Sequence, residues 1–275
     1  MGAAFFPEGA GLAEDAAVAV VICAAGSSAR MRDAGAEASA KKEYRAMPGD
    51  AGGLTVLGAA FRAFAALPEI QKIVIAVPDD PATGEDAARD AIGRTALDAQ
   101  GARAVFVAGG KTRRESVFNA LSALSGIFPA EPGARGYALI HDGARPWVAR
   151  DFIRRVIANV RKRQAVVPLL PLTDTPKVTT LPMGDFFCES ADENIGENIC
   201  VKTHLKRAFV GAAQTPQAFA FPDILDLHRL AAQRAQVEGI EFTDDAEIWG
   251  EFRGPVAAIP GDPRNRKITF PEDLE

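Results

Sequence analysis

The spacing of apolar and polar positions changes from one block of this chain to the next, between the patterns typical of strands and of helices. Residues 17–24 (AVAVVICA) form a nearly continuous apolar run, which is typical of a strand buried on both faces of a parallel sheet. Residues 55–67 carry apolar side chains at helical spacing and end before Pro68. Strand-like and helix-like blocks continue to alternate up to residue 170. They predict strands over residues 72–77, 103–107, 137–140 and 165–170, and helices over residues 85–99, 113–124 and 149–163.

This alternation predicts the fold class. Repeated β-α units give a mostly parallel, twisted sheet with helices on both faces and right-handed crossovers. Pro168 interrupts the last of these strands and indicates an edge or a bulge there. A helix over residues 222–238 and a strand over residues 256–259 then return the chain to the same α/β domain.

The pattern breaks between residues 172 and 209. This stretch is polar and rich in turn residues, with short β-like pieces at residues 177–180 and 199–202. Two or three short strands bury too little surface to be stable alone. We therefore expect a projecting β-arm that packs on a second copy of the chain. The predicted organisation is a flexible tail over residues 1–16, one domain over residues 17–171 and 210–275, and the arm over residues 172–209.

The composition is that of an ordinary soluble globular protein, with 48% hydrophobic and 24% charged residues among 275. A net charge of −5 argues against general nucleic-acid binding, so phosphate binding has to come from a few placed cations. Cys23, Cys188 and Cys200 cannot all pair and none stands in a C-x-x-C motif, which indicates reduced thiols in the cytoplasm. The first residues lack a signal-peptide pattern, and no apolar run reaches membrane-spanning length.

Candidate chemistry stands where the predicted strands end. After the first strand, AAGSSAR places small residues and then Arg30 where backbone N–H groups can cradle a phosphate. GGKTRRES follows the third strand, HDGARP follows the fourth, and RNRK comes late in the chain. Because ligands of open α/β sheets bind at the carboxyl ends of strands, these loops should converge on one crevice. Cationic clusters around one carboxylate indicate a polyphosphate with a metal ion.

Each feature also has an ordinary structural explanation. The glycine of the first loop can serve a tight turn, and Asp142 can cap a turn. Arg113 and Arg114 can form a solvated helix face, and Lys41 and Lys42 can be loop charges. Their joint occurrence at successive strand ends favours a ligand site.

The order of eight segments resembles one enzyme family. They are AAGSSARM, KKEY, GGKTRRESV, HDGARP, TDTPK, AQTPQAF, FTDDA and RKITFPEDL, and their order and approximate spacing are similar to those of the 2-C-methyl-D-erythritol 4-phosphate cytidylyltransferases. The resemblance covers residues 17–275. AAG alone occurs in many nucleotidyltransferases, whereas HDGARP together with AQTPQ and KITFPEDL is specific. The resemblance implies a Rossmann-like nucleotidyltransferase fold, a homodimer built by the arm, CTP and Mg²⁺, and transfer of CMP onto methylerythritol phosphate with release of pyrophosphate.

The resemblance also implies roles for single residues. Those expected to hold the triphosphate and stabilise the transition state are Arg30 and Lys42. Those expected around the nucleotide are Ala24, Ala25, Gly26, Gly109, Gly110, Ser116 and Gly143. Those expected to bind the second substrate are Asp142, Arg145 and Thr175. Arg207 and Lys267 are expected to be catalytic, together with Arg30 and Lys42, and to position the second substrate. Thr175 and Arg207 lie on the arm and can reach the partner subunit's site.

Such a reaction needs no Ser, Cys or His nucleophile, because the attacking phosphate is already ionised at neutral pH. Positioning and electrostatics then carry the catalysis. The chain has no tight cluster of His, Cys and acidic residues, so Mg²⁺ is expected to be held mainly by the phosphates of CTP.

Two departures from the family pattern bear on the phosphate lysine. Ala29 stands where the family often has a second cation, and the loop between Arg30 and Lys42 is several residues longer than usual. Lys41 and Lys42 are therefore both candidates. Lys42 is preferred because it precedes Glu43 and Tyr44 as the family's lysine precedes its own polar–Tyr pair. As a loop lysine it is expected to bury little.

Three other functions compete with this one. A cytidylyltransferase acting on ribitol 5-phosphate would share the CTP loops and differ in its second substrate. A dinucleotide-dependent oxidoreductase is disfavoured because no G-x-G-x-x-G follows the first strand and no acidic residue closes a second strand at the ribose-binding spacing. A catalytically idle interaction protein would have no reason to keep cations on every ligand-facing loop.

Overall fold

The structure is a computed structural model that divides into two compact units. The larger comprises the described residues of Met1–Pro168 and Gln214–Glu275, and the smaller is Leu169–Ala213. The predicted tail lies outside the described residues except at Asp15 and Ala16. The residues described are 15–27, 41–49, 53–129, 135–181 and 199–274.

Strands and helices alternate in the order that the hydrophobic pattern predicted. The strands are β1 (Val18–Cys23), β2 (Ile70–Val77), β3 (Ala104–Ala108), β4 (Gly136–Asp142), β5 (Ala165–Pro171), β6 (Lys177–Thr179), β7 (Val201–His204), β8 (Gly211–Ala213), β9 (Gln217–Phe221) and β10 (Ala257–Pro260). The helices are α1 (Val56–Ala65), α2 (Glu85–Ile92), α3 (Arg94–Asp98), α4 (Arg113–Ser125), α5 (Arg150–Arg163), α6 (Asp223–Glu238) and α7 (Asp245–Phe252). None of the described helices is long and apolar enough to cross a lipid bilayer.

One sheet forms the centre of the larger unit, with the strand order β10-β5-β9-β4-β1-β2-β3. β1 pairs in parallel with β2 and with β4, and β2 pairs in parallel with β3. β9 runs antiparallel to both β4 and β5. The predicted α/β fold with a mostly parallel sheet is confirmed. The carboxyl ends of β1 to β4 consequently lie along one edge of the sheet.

The centre of the sheet is buried on both faces. Every side chain from Val18 to Ile22 in β1 is fully buried, which explains why this strand shows no alternation of apolar and polar positions. α4 packs against β1 and β2, and its buried side chains Val117, Leu121 and Leu124 stand at helical spacing. The strand ends are thereby held by a rigid apolar core.

The prediction of one helix over residues 85–99 is wrong, because the structure contains two helices there, α2 and α3. They meet at Gly93, whose φ of 94° lies in a region that side-chain-bearing residues avoid. The alanine-rich composition on both sides of Gly93 hides this break.

Of the two alternatives predicted at Pro168, an edge or a bulge, the edge is wrong, because β5 lies between β10 and β9. Ala165 and Val166 pair with β9, whereas Leu169 to Pro171 pair with β8. Pro168 stands where β5 changes its partner, a position at which the missing N–H of a proline is tolerated.

The smaller unit contains little buried surface. β6 and β7 form an antiparallel pair, with Lys177 opposite His204. β6 lies within the predicted piece at residues 177–180, and β7 begins two residues later than predicted. Large apolar side chains are exposed in this unit, including Val201 at 49% and Phe209 at 85%.

Candidate active site

A cavity of about 690 Å³ lies where the carboxyl ends of β1 to β4 meet. The loops after β1, β2, β3 and β4 all contribute to its wall, together with a late segment that carries Lys267 and Thr269. Parallel strands bring these loops together because all four end at the same edge. The charged residues in the lining are Lys42, Glu43, Asp79, Lys111, Arg113, Asp142 and Lys267.

The loop after β1 brings small residues to the wall. Ala25 and Gly26 line the cavity, and a Cβ added at Gly26 would meet no atom within 4 Å. Ala24 is fully buried instead, and its N–H donates to the Ala76 carbonyl at 2.8 Å. Ala24 therefore fixes the loop to β2, while the next two residues face the ligand space. Arg30 and the lengthened loop after it, up to residue 40, lie outside the described residues.

Two adjacent lysines stand at the short 3₁₀ turn Lys42–Tyr44. Lys42 lines the cavity. The Lys41 ammonium donates to the Gly26 carbonyl and lies 3.8 Å from the Glu43 carboxylate. Lys41 thus ties the first loop to the turn. Both lysines are only 8% exposed, so the expectation that Lys42 buries little is wrong.

Gly109 and Gly110 allow the loop after β3 to approach its neighbours closely. A Cβ added at Gly109 would lie 2.3 Å from the Ala25 Cβ, and one added at Gly110 would lie 2.3 Å from the Glu115 Cβ. The Ser116 hydroxyl oxygen accepts the Gly110 N–H at 3.0 Å. Space, rather than an unusual φ, requires both glycines. Gly109, Gly110 and Ser116 all line the cavity.

The start of α4 sends its cations in different directions. The Thr112 side chain caps the helix by accepting the Glu115 N–H at 3.2 Å. Lys111 and Arg113 line the cavity. Arg114 is buried, and its Nε lies 3.5 Å from a Glu241 carboxylate oxygen. The alternative explanation of Arg113 and Arg114 as a solvated helix face is therefore wrong.

Asp142, at the end of β4, is the centre of a cationic cluster. Its Oδ2 lies 2.9 Å from Lys267 Nζ and 3.5 Å from Arg145 Nε, and its Oδ1 lies 3.5 Å from Arg113 Nε. Burial raises the pKa of this carboxyl, but the three cations outweigh burial and hold the pKa well below its usual range. Asp142 is consequently an anion at neutral pH and fixes the cations around it.

Gly143 and Arg145 lie just behind the described cavity lining. The Gly143 N–H donates to the Cys23 carbonyl at 2.8 Å and joins the loop after β4 to β1. The Arg145 Nη1 donates to the Asn265 carbonyl at 2.9 Å. Burial lowers the pKa of Arg145, and the Asp142 carboxylate opposes that effect. Both residues thus support the wall that carries Asp142.

Lys267 is the member of the late run RNRK that lines the described cavity. Arg264 pairs with Asp262 at 2.8 Å, and the Arg266 guanidinium lies 4.8 Å from the centre of the Trp147 ring. The Ile268 N–H donates to the Ala144 carbonyl, in the loop after β4, at 2.8 Å. This bond holds the late segment beside Asp142.

Sequence reasoning missed two buried residues beside this cluster. Asp245, the first residue of α7, accepts from Arg113 Nη2 at 2.8 Å and from His228 Nε2 at 3.1 Å. Burial raises the pKa of the Asp245 carboxyl, but Arg113 and His228 bring it below its usual range. The FTDDA segment is a signal that could have indicated Asp245. His228 lies in an ordinary helical pattern that gives no such signal.

Thr175 and Arg207 lie in the smaller unit. Both are exposed and line a groove of about 770 Å³ within that unit, together with apolar residues such as Leu170 and Phe209. The Arg207 guanidinium donates to the Thr173 carbonyl. The roles expected of Thr175 and Arg207 stay predictions.

Comparison with known proteins agrees with the motifs. The model of the family IspD: 2-C-methyl-D-erythritol 4-phosphate cytidylyltransferase matches residues 18–275. The bifunctional enzyme IspD/IspF of Mesorhizobium japonicum is 34% identical over 257 residues, which cover 94% of this chain and 53% of that protein. The chain spans about half the length of the curated relatives it matches.

Solved structures show the same fold. The 2-C-methyl-D-erythritol 4-phosphate cytidylyltransferase of Thermus thermophilus is 29% identical with a TM-score of 0.60, over 94% of this chain and 95% of that chain. The 4-diphosphocytidyl-2C-methyl-D-erythritol synthase of Anaerococcus prevotii is 24% identical with a TM-score of 0.67, over 95% of this chain and 94% of that chain, and supports the fold alone. Because the family model extends from the first residue of β1 to the end of the chain, the chain belongs to the 2-C-methyl-D-erythritol 4-phosphate cytidylyltransferase family.

Proposed function

We propose that this chain transfers CMP from CTP to 2-C-methyl-D-erythritol 4-phosphate, giving 4-diphosphocytidyl-2-C-methyl-D-erythritol and pyrophosphate. The observation that carries the proposal is the cavity at the ends of β1 to β4, which is lined by Lys42, Arg113, Lys267 and Asp142 together. Family membership over residues 18–275 supports the same reaction.

The reaction is a displacement at the α-phosphorus of CTP. A phosphate oxygen of methylerythritol phosphate forms the new P–O bond. The bond from the α-phosphorus to the oxygen that bridges to the β-phosphorus breaks, and its electron pair leaves with pyrophosphate. The main obstacle is the repulsion between two anions, so fixed cations and N–H donors supply the catalysis.

Both substrates, the triphosphate and the sugar phosphate, have candidate cations in this proposal. Lys42 holds the triphosphate, together with Arg30, and both stabilise charge on the α-phosphate. Lys267 and Arg207 act on the second substrate, which Asp142, Arg145 and Thr175 help to position. The 2.9 Å contact with Asp142 keeps the Lys267 ammonium in one place before substrate arrives, which reduces the cost of ordering it.

The cytidine is proposed to bind among the small residues of the first and third strand-end loops. Ala25, Gly26, Gly109, Gly110 and Ser116 line this part of the cavity, and Ala24 and Gly143 support it. A backbone carbonyl and an N–H are enough to recognise the N4 amine and the O2 of cytosine, so no charged side chain is required.

Mg²⁺ is proposed to arrive with CTP. The described residues contain no group of three or more His, Cys, Asp or Glu side chains placed to hold a metal, and the Asp142 oxygens already face three cations. This donor set fits an ion held by phosphate oxygens and water, which would neutralise charge on the leaving pyrophosphate. Equilibrium dialysis should show weak Mg²⁺ binding without CTP, and stoichiometric tight binding would contradict the proposal.

The smaller unit is proposed to build a homodimer in the cytoplasm. Its exposed apolar side chains, among them Val178 at 40% and Phe209 at 85%, are a surface that a second copy can bury. The net charge of −5 gives no basis for proposing a nucleic-acid partner, and no membrane partner is proposed.

The proposed reaction is tested by incubating the purified chain with CTP, Mg²⁺ and methylerythritol phosphate, following pyrophosphate release and identifying the product by mass spectrometry. Ribitol 5-phosphate in a parallel reaction tests the alternative second substrate, and UTP tests recognition of the base. We expect turnover with CTP and methylerythritol phosphate. Faster turnover with ribitol 5-phosphate, or none with either phosphate, would contradict the proposal.

A further inference from the structure

The Arg113 guanidinium lies between two carboxylates, one in the cavity wall and one behind it. Its Nε is 3.5 Å from Asp142 Oδ1, and its Nη2 is 2.8 Å from Asp245 Oδ2. The Arg113 side chain is 29% exposed, whereas that of Asp245 is 1% exposed. The stronger contact of this cavity-lining arginine is therefore with a carboxylate that substrate cannot reach.

A second buried group holds Asp245. His228, on α6, faces Asp245 Oδ1 through Nε2 at 3.1 Å. A carboxylate accepts hydrogen bonds, so Nε2 carries the hydrogen and donates it. The His228 Nδ1 is buried and has no hydrogen-bond partner within the described chain. Each oxygen of Asp245 thus has one partner, His228 on one side and Arg113 on the other.

The backbone at Asp245 is also fixed. Asp244 caps α7 by accepting the Glu247 N–H at 2.8 Å, and the Gln217 side chain accepts the Ala246 N–H at 2.9 Å. The carboxylate of Asp245 stands in the first turn of α7, where the helix dipole favours a negative charge. Asp245 is consequently a rigid anchor for Arg113.

We propose that Asp245 and His228 are positioning residues that act through Arg113 to keep the cluster around Asp142 in its working geometry. Arg113, Arg145 and Lys267 all approach Asp142, so three cations would compete for one carboxylate without a second anion. Asp245 takes the closer contact with Arg113, which approaches only Oδ1 of Asp142, and leaves Asp142 Oδ2 to Lys267 and Arg145. This inference rests on the proposed function, because it assigns the contacts of Asp245 with Arg113 and His228 a role in the CMP transfer.

Removing the charge of Asp245 while keeping its shape tests the positioning role of Asp245. Asp245→Asn should let Arg113 close on Asp142 and displace Lys267, lowering kcat roughly 10-fold or more, since small misplacements near the reacting groups have large effects on rate. The KM for CTP should stay nearly unchanged. The matched control is Asp223→Asn, because Asp223 is also a buried aspartate that bridges two arginines, Arg135 and Arg253, but it does not line the described cavity. The control should keep the wild-type kcat.

His228 provides a second pair of variants in case Asp245→Asn fails to fold. His228→Gln can still donate an amide N–H to Asp245, whereas His228→Leu cannot. We expect the leucine variant to lose kcat and the glutamine variant to retain most of it. A structural role alone would reduce thermal stability in both without separating their kcat values.

A double variant tests whether the effect passes through Arg113. Asp245→Asn should lower kcat only in a chain that contains Arg113, so adding it to Arg113→Met should leave the kcat of that variant unchanged. The double variant should also unfold at a higher temperature than Arg113→Met, because it no longer buries a carboxylate without its arginine. Wild-type kcat in Asp245→Asn, an equal loss in Asp223→Asn, or independent effects of Arg113→Met and Asp245→Asn would each overturn the inference. A wild-type chain without any CMP transfer would instead overturn the proposed function.

Discussion

Lys41 and Lys42 are neighbours in the sequence, but the structure gives them different surroundings. Lys42 lines the cavity, whereas Lys41 donates to the Gly26 carbonyl and pairs with Glu43. Burial is equal for the two lysines, so surface exposure does not distinguish them. Their positions relative to the cavity do, because Lys42 lines it and Lys41 does not.

Lys42→Ala should therefore lower kcat by about 10²-fold or more, the scale expected when a fixed charge no longer stabilises the transition state. Steady-state kinetics with CTP and methylerythritol phosphate measure this effect. Lys41→Ala is the matched control and should lose thermal stability while keeping much more of its kcat. A normal rate in Lys42→Ala combined with a lost rate in Lys41→Ala would reverse the assignment.

His141, which is fully buried in β4, is expected to give a pH dependence of stability. Burial lowers its pKa from 6.5 to about 4, and Asp142 opposes that effect only in part. Between these two values the unfolded chain binds a proton that the folded chain does not. The resulting contribution to the free energy of unfolding is fully present above pH 6.5 and is lost as the pH falls to 4, by on the order of 3 kcal/mol.

Urea denaturation of the wild type and His141→Gln at pH 7 and pH 5 measures this contribution. The wild type should lose more stability between the two pH values than the variant, in which no imidazole titrates. Asp142 does not confuse the comparison, since its pKa lies below its usual range and its contribution is lost at lower pH. Equal losses in both chains would contradict the assignment to His141.

At the scale of elements, the loop after β3 and the loop after β1 fit together without spare volume. Gly109→Ala would place a methyl group 2.3 Å from the Ala25 Cβ and force the two loops apart. We expect the free energy of unfolding to fall by about 1–3 kcal/mol and the KM for CTP to rise. Gly250→Ala in α7 is the control, because its added methyl meets no atom within 4 Å and alanine favours a helix. Equal stability of the two variants would refute the close approach.

The elements themselves could be predicted because hydrophobic period follows from burial. β1 is buried on both faces and therefore reads as an unbroken apolar run, and α4 buries one stripe at helical spacing. The break at Gly93 could not be predicted, since the sequence does not show which of its glycines adopt a positive φ. The change of partner at Pro168 also depends on pairing with strands more than forty residues later.

The candidate site was predictable to the same extent. The loops at the strand ends follow from parallel topology, so motifs such as HDGARP could be assigned to one crevice from the sequence. The contact of Arg113 with Asp245 joins residues 132 positions apart, and the contact of Asp245 with His228 depends on how α6 and α7 pack. Such side-chain partners are set by tertiary packing, which local patterns do not encode.

At the scale of the whole molecule, the charges in the cavity lining differ from the net charge of the chain. The chain carries a net charge of −5, yet Lys42, Lys111, Arg113 and Lys267 all line one cavity. Glu43, Asp79 and Asp142 also line it, so the four cations outnumber the three acidic side chains there, whereas acidic residues are in excess over the whole chain. In the smaller unit, Arg207 is exposed in the single chain.

Arg207 is suited to a phosphate because its planar guanidinium can donate two parallel hydrogen bonds to two phosphate oxygens and fix their orientation, which a lysine ammonium does less well. Arg207→Lys should therefore raise the KM for methylerythritol phosphate and lower kcat, while binding of CTP alone stays nearly unchanged. Steady-state kinetics and calorimetric titration with CTP separate these effects. A change in CTP affinity as large as the change in KM would contradict a role at the second substrate.

Complementation then tests whether Arg207 serves the site of the partner subunit. Arg207→Ala and Lys42→Ala chains, each inactive alone, are co-expressed with different tags so that the mixed dimer can be purified. If the arm crosses, one of the two sites in a mixed dimer receives an intact Lys42 from one chain and an intact Arg207 from the other. That dimer should recover about half of the wild-type kcat per dimer, because its second site carries both substitutions. No recovery in a mixed dimer whose formation sedimentation has established, or a fully active monomer of the wild type, would rule out a site shared between subunits.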